Sequence, residues 1–201
     1  MTKKIQVFVF FFLTIFQFSI VSAQGTSFNG NTPSISLLDG GIESPGTIFK
    51  TLNQSDILQL TIETDLDHLI ANKYKDDYQE AQLTYDSEDG VISQVVKVKP
   101  RGKFRRKTCD FPPLKIKFNK SSLKENGIST NHKSLKLVTH CMDDEDAEQT
   151  ILKEFVAYKM YNQLTDASFK VQLVQVKYVN SAKDTADLVQ YGFIIENTNE
   201  M

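Results

Sequence analysis

Three short runs alternate apolar and basic residues with a period of two, and this alternation constrains the chain more than its composition does. Val96 and Val98 point one way while Lys97, Lys99 and Arg101 point the other. Leu114, Ile116 and Phe118 oppose Lys115 and Lys117, and Leu135 and Leu137 oppose Lys136. Successive side chains of an extended strand lie on opposite faces, so neighbouring strands of this kind make a sheet with an apolar core face and a cationic outer face. From Lys97 to Lys120 there are ten basic residues against one acid, Asp110, in a chain of 201 residues whose overall net charge is -2. Like charges directly opposite one another repel, so such a face expects an anionic partner or acids from elsewhere in the chain.

The first 23 residues read as an address. Lys3 and Lys4 precede an apolar run from Ile5 to Val21, and Val21-Ser22-Ala23 supplies the small residues of a cleavage site, so a secretory signal peptide ending at Ala23 is expected. No Cys follows the cut, which argues against a lipid-anchored form. The remaining 178 residues carry 21 basic and 25 acidic side chains. The expected location is secreted, periplasmic or extracellular, with membrane contact only during export. In an oxidising compartment a lone pair of cysteines, Cys109 and Cys141, reads as a disulfide closing a 32-residue loop rather than as a metal or nucleophile site.

Residues 24–56 are rich in Gly, Ser, Thr, Asn and Pro and read as a flexible leader, which places the folded domain at 57–201. Strands are expected from Ile57, over Ala81–Tyr85, Val91–Lys99, Leu114–Phe118, Ser134–Cys141, Phe169–Tyr178 and Leu188–Ile195, with a hairpin turn at Ser87-Glu88-Asp89-Gly90. Asp65 caps a short helix, and Asp143 opens a long one reaching Leu164 with a broad apolar face. In the sixth strand the apolar positions change phase between Leu173 and Val174, which implies either a bulge or burial on both faces. The order of elements predicts an α+β domain with a mainly antiparallel sheet and one principal helix.

On the basic face, Arg101-Gly102 and Arg105-Arg106 favour a ligand over a merely solvated lysine surface, since guanidinium forks suit phosphate or carboxylate and Gly admits close backbone approach. The ligand classes are a nucleotide or an acidic glycan, polymer or protein. Nucleic acid is not expected, because only Phe104 among the aromatics interleaves the charges. Glu154, midway along the long helix, is placed to pair with Lys115 or Lys117. The acidic run at 143–146 is accounted for by a helix N-terminus, and no metal site is assigned. GxSxG, HExxH, CxxC and Walker-type loops are absent from the sequence.

The series Pro100-Arg101-Gly102, Arg105-Arg106, Phe111-Pro112-Pro113-Leu114-Lys115-Ile116-Lys117-Phe118, Leu135 to Cys141, Leu152-Lys153-Glu154-Phe155-Val156-Ala157-Tyr158 and Tyr191 to Glu196 resembles exported bacterial proteins related to the spore-coat CotH kinase family. The resemblance implies the nucleotide-side half of an atypical kinase fold, with ATP and magnesium as cofactors. In it Arg101 and Arg105 approach phosphates, Lys115 or Lys117 is the phosphate-binding lysine, and Glu154 is its helix partner. It also places the metal-binding and catalytic acids beyond residue 201, so the chain as written is expected to be inactive by itself.

Overall fold

The alternating strands do not form an open sheet. In the computed structural model, which describes residues 45–198 except 55, 88–89, 143–145 and 185–186, seven strands close into a barrel. The expected signal peptide, residues 24–44 and 55 of the leader, and the first three residues of the acidic run lie outside the described residues. In chain order the strands are β1 (Leu58–Thr64), β2 (Gln79–Ser87), β3 (Gly90–Pro100), β4 (Leu114–Phe118), β5 (Ser134–Val138), β6 (Val171–Asn180) and β7 (Leu188–Ile195). Around the barrel they run β1-β2-β3-β4-β5-β7-β6. Six ladders are antiparallel, and the seventh is a parallel pairing of β1 with β6 from Leu58↔Val174 to Thr64↔Asn180. The helices are α1 (Ile48–Leu52), α2 (Leu66–Ala71), α3 (Arg105–Thr108), α4 (Lys120–Glu125) and α5 (Ala147–Leu164).

The expected α+β half of a kinase-like fold is therefore replaced by a mainly β architecture. The reason is the β1–β6 ladder: it joins segments more than a hundred residues apart and removes both edges that an open sheet would expose.

Inside the barrel the apolar half of each alternating strand makes one core. Leu60 and Ile62 of β1, Val96 and Val98 of β3, Leu114 and Ile116 of β4 and Val174 and Val176 of β6 are all nearly inaccessible. Helix α1 adds Ile48, Phe49 and Leu52 to this core, although composition assigned those residues to the leader. Gln54 ties the chain after α1 to the barrel, its N–H donating to Gln172 Oε1 at 3.0 Å and its Nε2 to the Asp86 carbonyl at 2.9 Å. Asp65 caps α2 as expected, accepting from the His68 N–H at 2.8 Å.

The phase change in β6 is burial on both faces. Its register with β7 runs unbroken from Val171↔Ile195 to Tyr178↔Leu188, so no residue is extruded. Val174, Val176 and Tyr178 point into the barrel, while Val171 joins Phe193, Ile195, Val138 and Ile151 in a second cluster between the barrel wall and α5. Helix α5 buries a narrower stripe than expected: Ala147 and Ile151 are buried, Phe155 and Tyr158 are partly so, and Val156, Met160, Tyr161 and Leu164 are exposed. A barrel wall already filled from inside offers the helix one shallow contact line.

Two positions generate predictions. A Cβ built on Gly192 would lie 2.6 Å from the Val138 carbonyl oxygen, a backbone atom that cannot turn aside. Gly192→Ala is therefore expected to destabilise the barrel by about 1–3 kcal/mol, read as a lower midpoint in urea or thermal unfolding. Burial pushes the phenol pKa of Tyr178 far above its ordinary value and raises that of Tyr85 as well. The unfolded chain ionises these tyrosines near pH 10 while the folded one resists, so stability is unaffected at neutral pH and falls as pH rises past about 10. The alkaline loss should be smaller in Tyr178→Phe, measured by unfolding at stepped pH.

Candidate functional site

The barrel register lays the lysines side by side. Lys97 stands opposite Lys117, and Lys99, Lys115 and Lys136 form one row across β3, β4 and β5. Their apolar neighbours point into the core, so all five occupy the outer face. The segment between α2 and β2 covers part of it. Asp76 holds Lys99 in an ion pair at 2.8 Å, and the Tyr78 ring lies 4.7 Å from Lys99 Nζ and 5.3 Å from Lys117 Nζ. The same ion pair, through its hydrogen bond first, holds the Asp76 carboxyl below its usual range. Periodicity carried no sign of this cover, because the segment that supplies it has none.

The other part of the face is open. A cavity of about 360 Å³ lies where β3, β5 and β7 end, with Arg101, Arg105, Lys136 and Glu154 among its walls and Phe104, 75% exposed, at its mouth. Burial, and then the Arg105 charge, lowers the Arg101 pKa. Burial, and then Arg101 and Lys115, lowers that of Lys136. Among the described residues, no carboxylate comes within ion-pair distance of Arg101, Lys115, Lys117 or Lys136. The Lys136 ammonium is instead 5.3 Å from the Phe169 ring centre.

Several local contacts hold the arginine loop in place. The Arg101 N–H donates to the Pro113 carbonyl at 2.7 Å, and Gly102, at φ 84°, makes the turn into α3. At the far end of α3 the Cys109–Cys141 disulfide, with Cα atoms 4.6 Å apart, ties the loop to the segment that follows β5. Phe111 bridges to Cys141 beside it, and Lys73 Nζ donates to the Cys109 carbonyl at 2.8 Å. Arg106 turns away from the cavity and donates to the Lys75 carbonyl at 3.2 Å. His140, in the segment that follows β5, is buried with its ring centre 5.0 Å from that of Phe111.

The structure thus brings Arg101, Arg105 and Glu154 together, leaves Lys115 beside them in the lysine row, and sets Lys117 under Tyr78. Glu154 does not reach Lys115 or Lys117. Both its carboxylate oxygens accept from Arg105 Nη2 at 2.9 Å, because α5 packs over β7 and β6 rather than over β4. Lys136, Tyr158 and Phe169 complete the walls; Lys136 was visible as part of the basic face, whereas Tyr158 and Phe169 read only as core positions. Among the described residues, no three His, Cys, Asp or Glu side chains gather as a metal site, and no helix is long and apolar enough to cross a membrane. The donor set does not fit magnesium, since the one carboxylate in the cavity is engaged by Arg105.

No protein-family model matches the chain, no curated protein matches it, and no solved structure matches its fold.

The unpaired Lys136 charge has a cost that can be measured. Its folded-state pKa lies below the ordinary lysine value of 10.5, so the penalty is fully present at neutral pH and is relieved as pH rises through the folded pKa. Because solvent screens the partly exposed ammonium and Met gives up its contact with the Phe169 ring, Lys136→Met should raise the unfolding temperature at neutral pH and low salt only slightly, by at most about 1 °C. The difference between the two proteins should narrow with added salt and across the alkaline window below 10.5.

Proposed function

We propose that this protein is a non-catalytic binding module of the cell exterior or envelope that holds an acidic polymer or protein at the cavity between Arg101, Arg105 and Lys136. The observation that carries this reading is the row of Lys99, Lys115 and Lys136, which the barrel register forces into direct opposition and which runs to the mouth of a cavity lined by two arginines. Opposed like charges are unfavourable in the free protein, and a bound anion removes the repulsion. Lysines at an edge strand can be explained as protection from aggregation, but a closed barrel has no edge to protect. The pinned arginine loop also favours binding, because its donors are ordered before the ligand arrives. The disulfide and the signal-like N-terminus are both consistent with action outside the cytoplasm.

Retention on an immobilised acidic polymer should be salt-sensitive and independent of magnesium. Arg101→Glu and Lys136→Glu should each lower the salt concentration needed for elution, with a smaller effect from Lys115→Glu and the least from Lys117→Glu, which Tyr78 already covers. Equal effects at all four positions would indicate diffuse charge rather than a site. Unchanged elution in all four variants would overturn the reading.

A further inference from the structure

The basic cavity does not end at Glu154. A second, more open cleft of about 550 Å³ shares Glu154, Tyr158 and Phe169 with it and continues along α5 past Ala157 and Tyr161. Its character is opposite: the walls are aromatic rings and small side chains, and Glu154 is the one charged residue. The two cavities together present guanidinium and ammonium donors at one end, a carboxylate at the junction and ring faces at the other. Each lies within the 300–1,000 Å³ span of ordinary ligand pockets.

We infer that this composite site binds an acidic saccharide, a sugar chain bearing carboxylate or sulfate groups, with its anionic group between Arg101 and Lys136 and an adjoining ring against Tyr158, Tyr161 and Phe169. The inference rests on the anion-binding reading above and extends it from charge to ligand class. A sugar ring has an apolar C–H face that packs on an aromatic ring and hydroxyls at its rim that donate to a carboxylate. Glu154 stands where those hydroxyls fall, with Arg105 bridging both its oxygens on the cationic side.

The alternatives fit the junction less well. A polyphosphate, charged at every unit, brings a second anion against Glu154 and leaves the aromatic cleft unused. An acidic peptide has no free strand to add to, because the barrel is closed, and consecutive carboxylates meet the same repulsion. Alternation of acid and neutral ring along an acidic saccharide matches the alternation of the site.

The test measures binding of hyaluronan hexasaccharide and unsulfated chondroitin hexasaccharide, in both of which a uronate alternates with a neutral ring, and of inorganic polyphosphate and oligoglutamate, to the full chain and to Tyr161→Ala, Tyr161→Phe, Ala157→Gln and Arg101→Glu. Tyr161 is 57% exposed and Ala157 is exposed, so neither substitution disturbs the core. The expected result is that at least one saccharide binds. Tyr161→Ala and Ala157→Gln should then weaken it about five- to tenfold, Tyr161→Phe should retain it, and polyphosphate binding should change less than twofold in these three variants. Arg101→Glu should weaken binding of every anion. If Tyr161→Ala and Ala157→Gln leave saccharide binding unchanged while Arg101→Glu abolishes it, the saccharide inference fails and the anion site stands. If oligoglutamate shows the Tyr161 dependence and neither saccharide does, the ligand is an acidic protein and the inference is overturned. Absence of binding by all four probes overturns both readings.

Discussion

The parallel ladder between β1 and β6 is the constraint on which the rest of the structure depends. By closing the barrel it gives every strand two neighbours and an enclosed face, and only apolar side chains can fill that face. Register then follows from burial. Sliding β4 by one residue against β3 would carry Lys115 and Lys117 into the core and Ile116 out of it, so the pairing is held where it is. The consequence on the outside is unfavourable: lysines of three adjacent strands stand opposite one another. Core burial outweighs that repulsion, since each buried aliphatic side chain is worth about 1.5–3 kcal/mol and an exposed like-charge pair costs well under 1.

The surrounding segments treat the two parts of the charged face differently. Where Asp76 and Tyr78 lie across it, Lys99 is paired and Lys117 rests beside an aromatic ring. At the other end Lys136 also lies 5.3 Å from a ring, that of Phe169, but among the described residues no carboxylate pairs with Arg101 or Lys136, and the loop that carries the arginines is tied down by a disulfide, a backbone bridge and a lysine-to-carbonyl bond. Glu154 satisfies Arg105 alone. What results is a polarised site, with cations on the strand side and rings on the helix side of a single carboxylate. This polarity is what the proposed binding role would use, and the closed barrel holds its parts in fixed positions.

Much of the local structure was legible in the residues, because it depends on contacts near in sequence. Alternation located the strands and the cationic face, Gly90 marked the hairpin between β2 and β3, and Asp65 announced its helix. The cysteine pair was legible from context. Closure was not, since the partners of Leu58 to Thr64 lie at Val174 to Asn180 and their pairing has no local signature. An α+β sheet was the natural reading of the same strands with their ends left open. The partner of Glu154 was hidden for a related reason. Its helical position was evident, but whether it met Lys115, Lys117 or Arg105 depended on which strands α5 crosses, and that follows from the insertion of β7 between β5 and β6.

By itself the sequence determined the two-faced character of the strands, the concentration of positive charge between Lys97 and Lys120 and the oxidisable cysteine pair, because periodicity, charge and composition are properties of neighbouring residues. Only the tertiary structure decided that the sheet closes, which cations remain open, and that Tyr158, Tyr161 and Phe169 stand beside them. Those outcomes depend on contacts between residues from about twenty to more than a hundred positions apart, and in such contacts the energy of packing, rather than local preference, selects the partner.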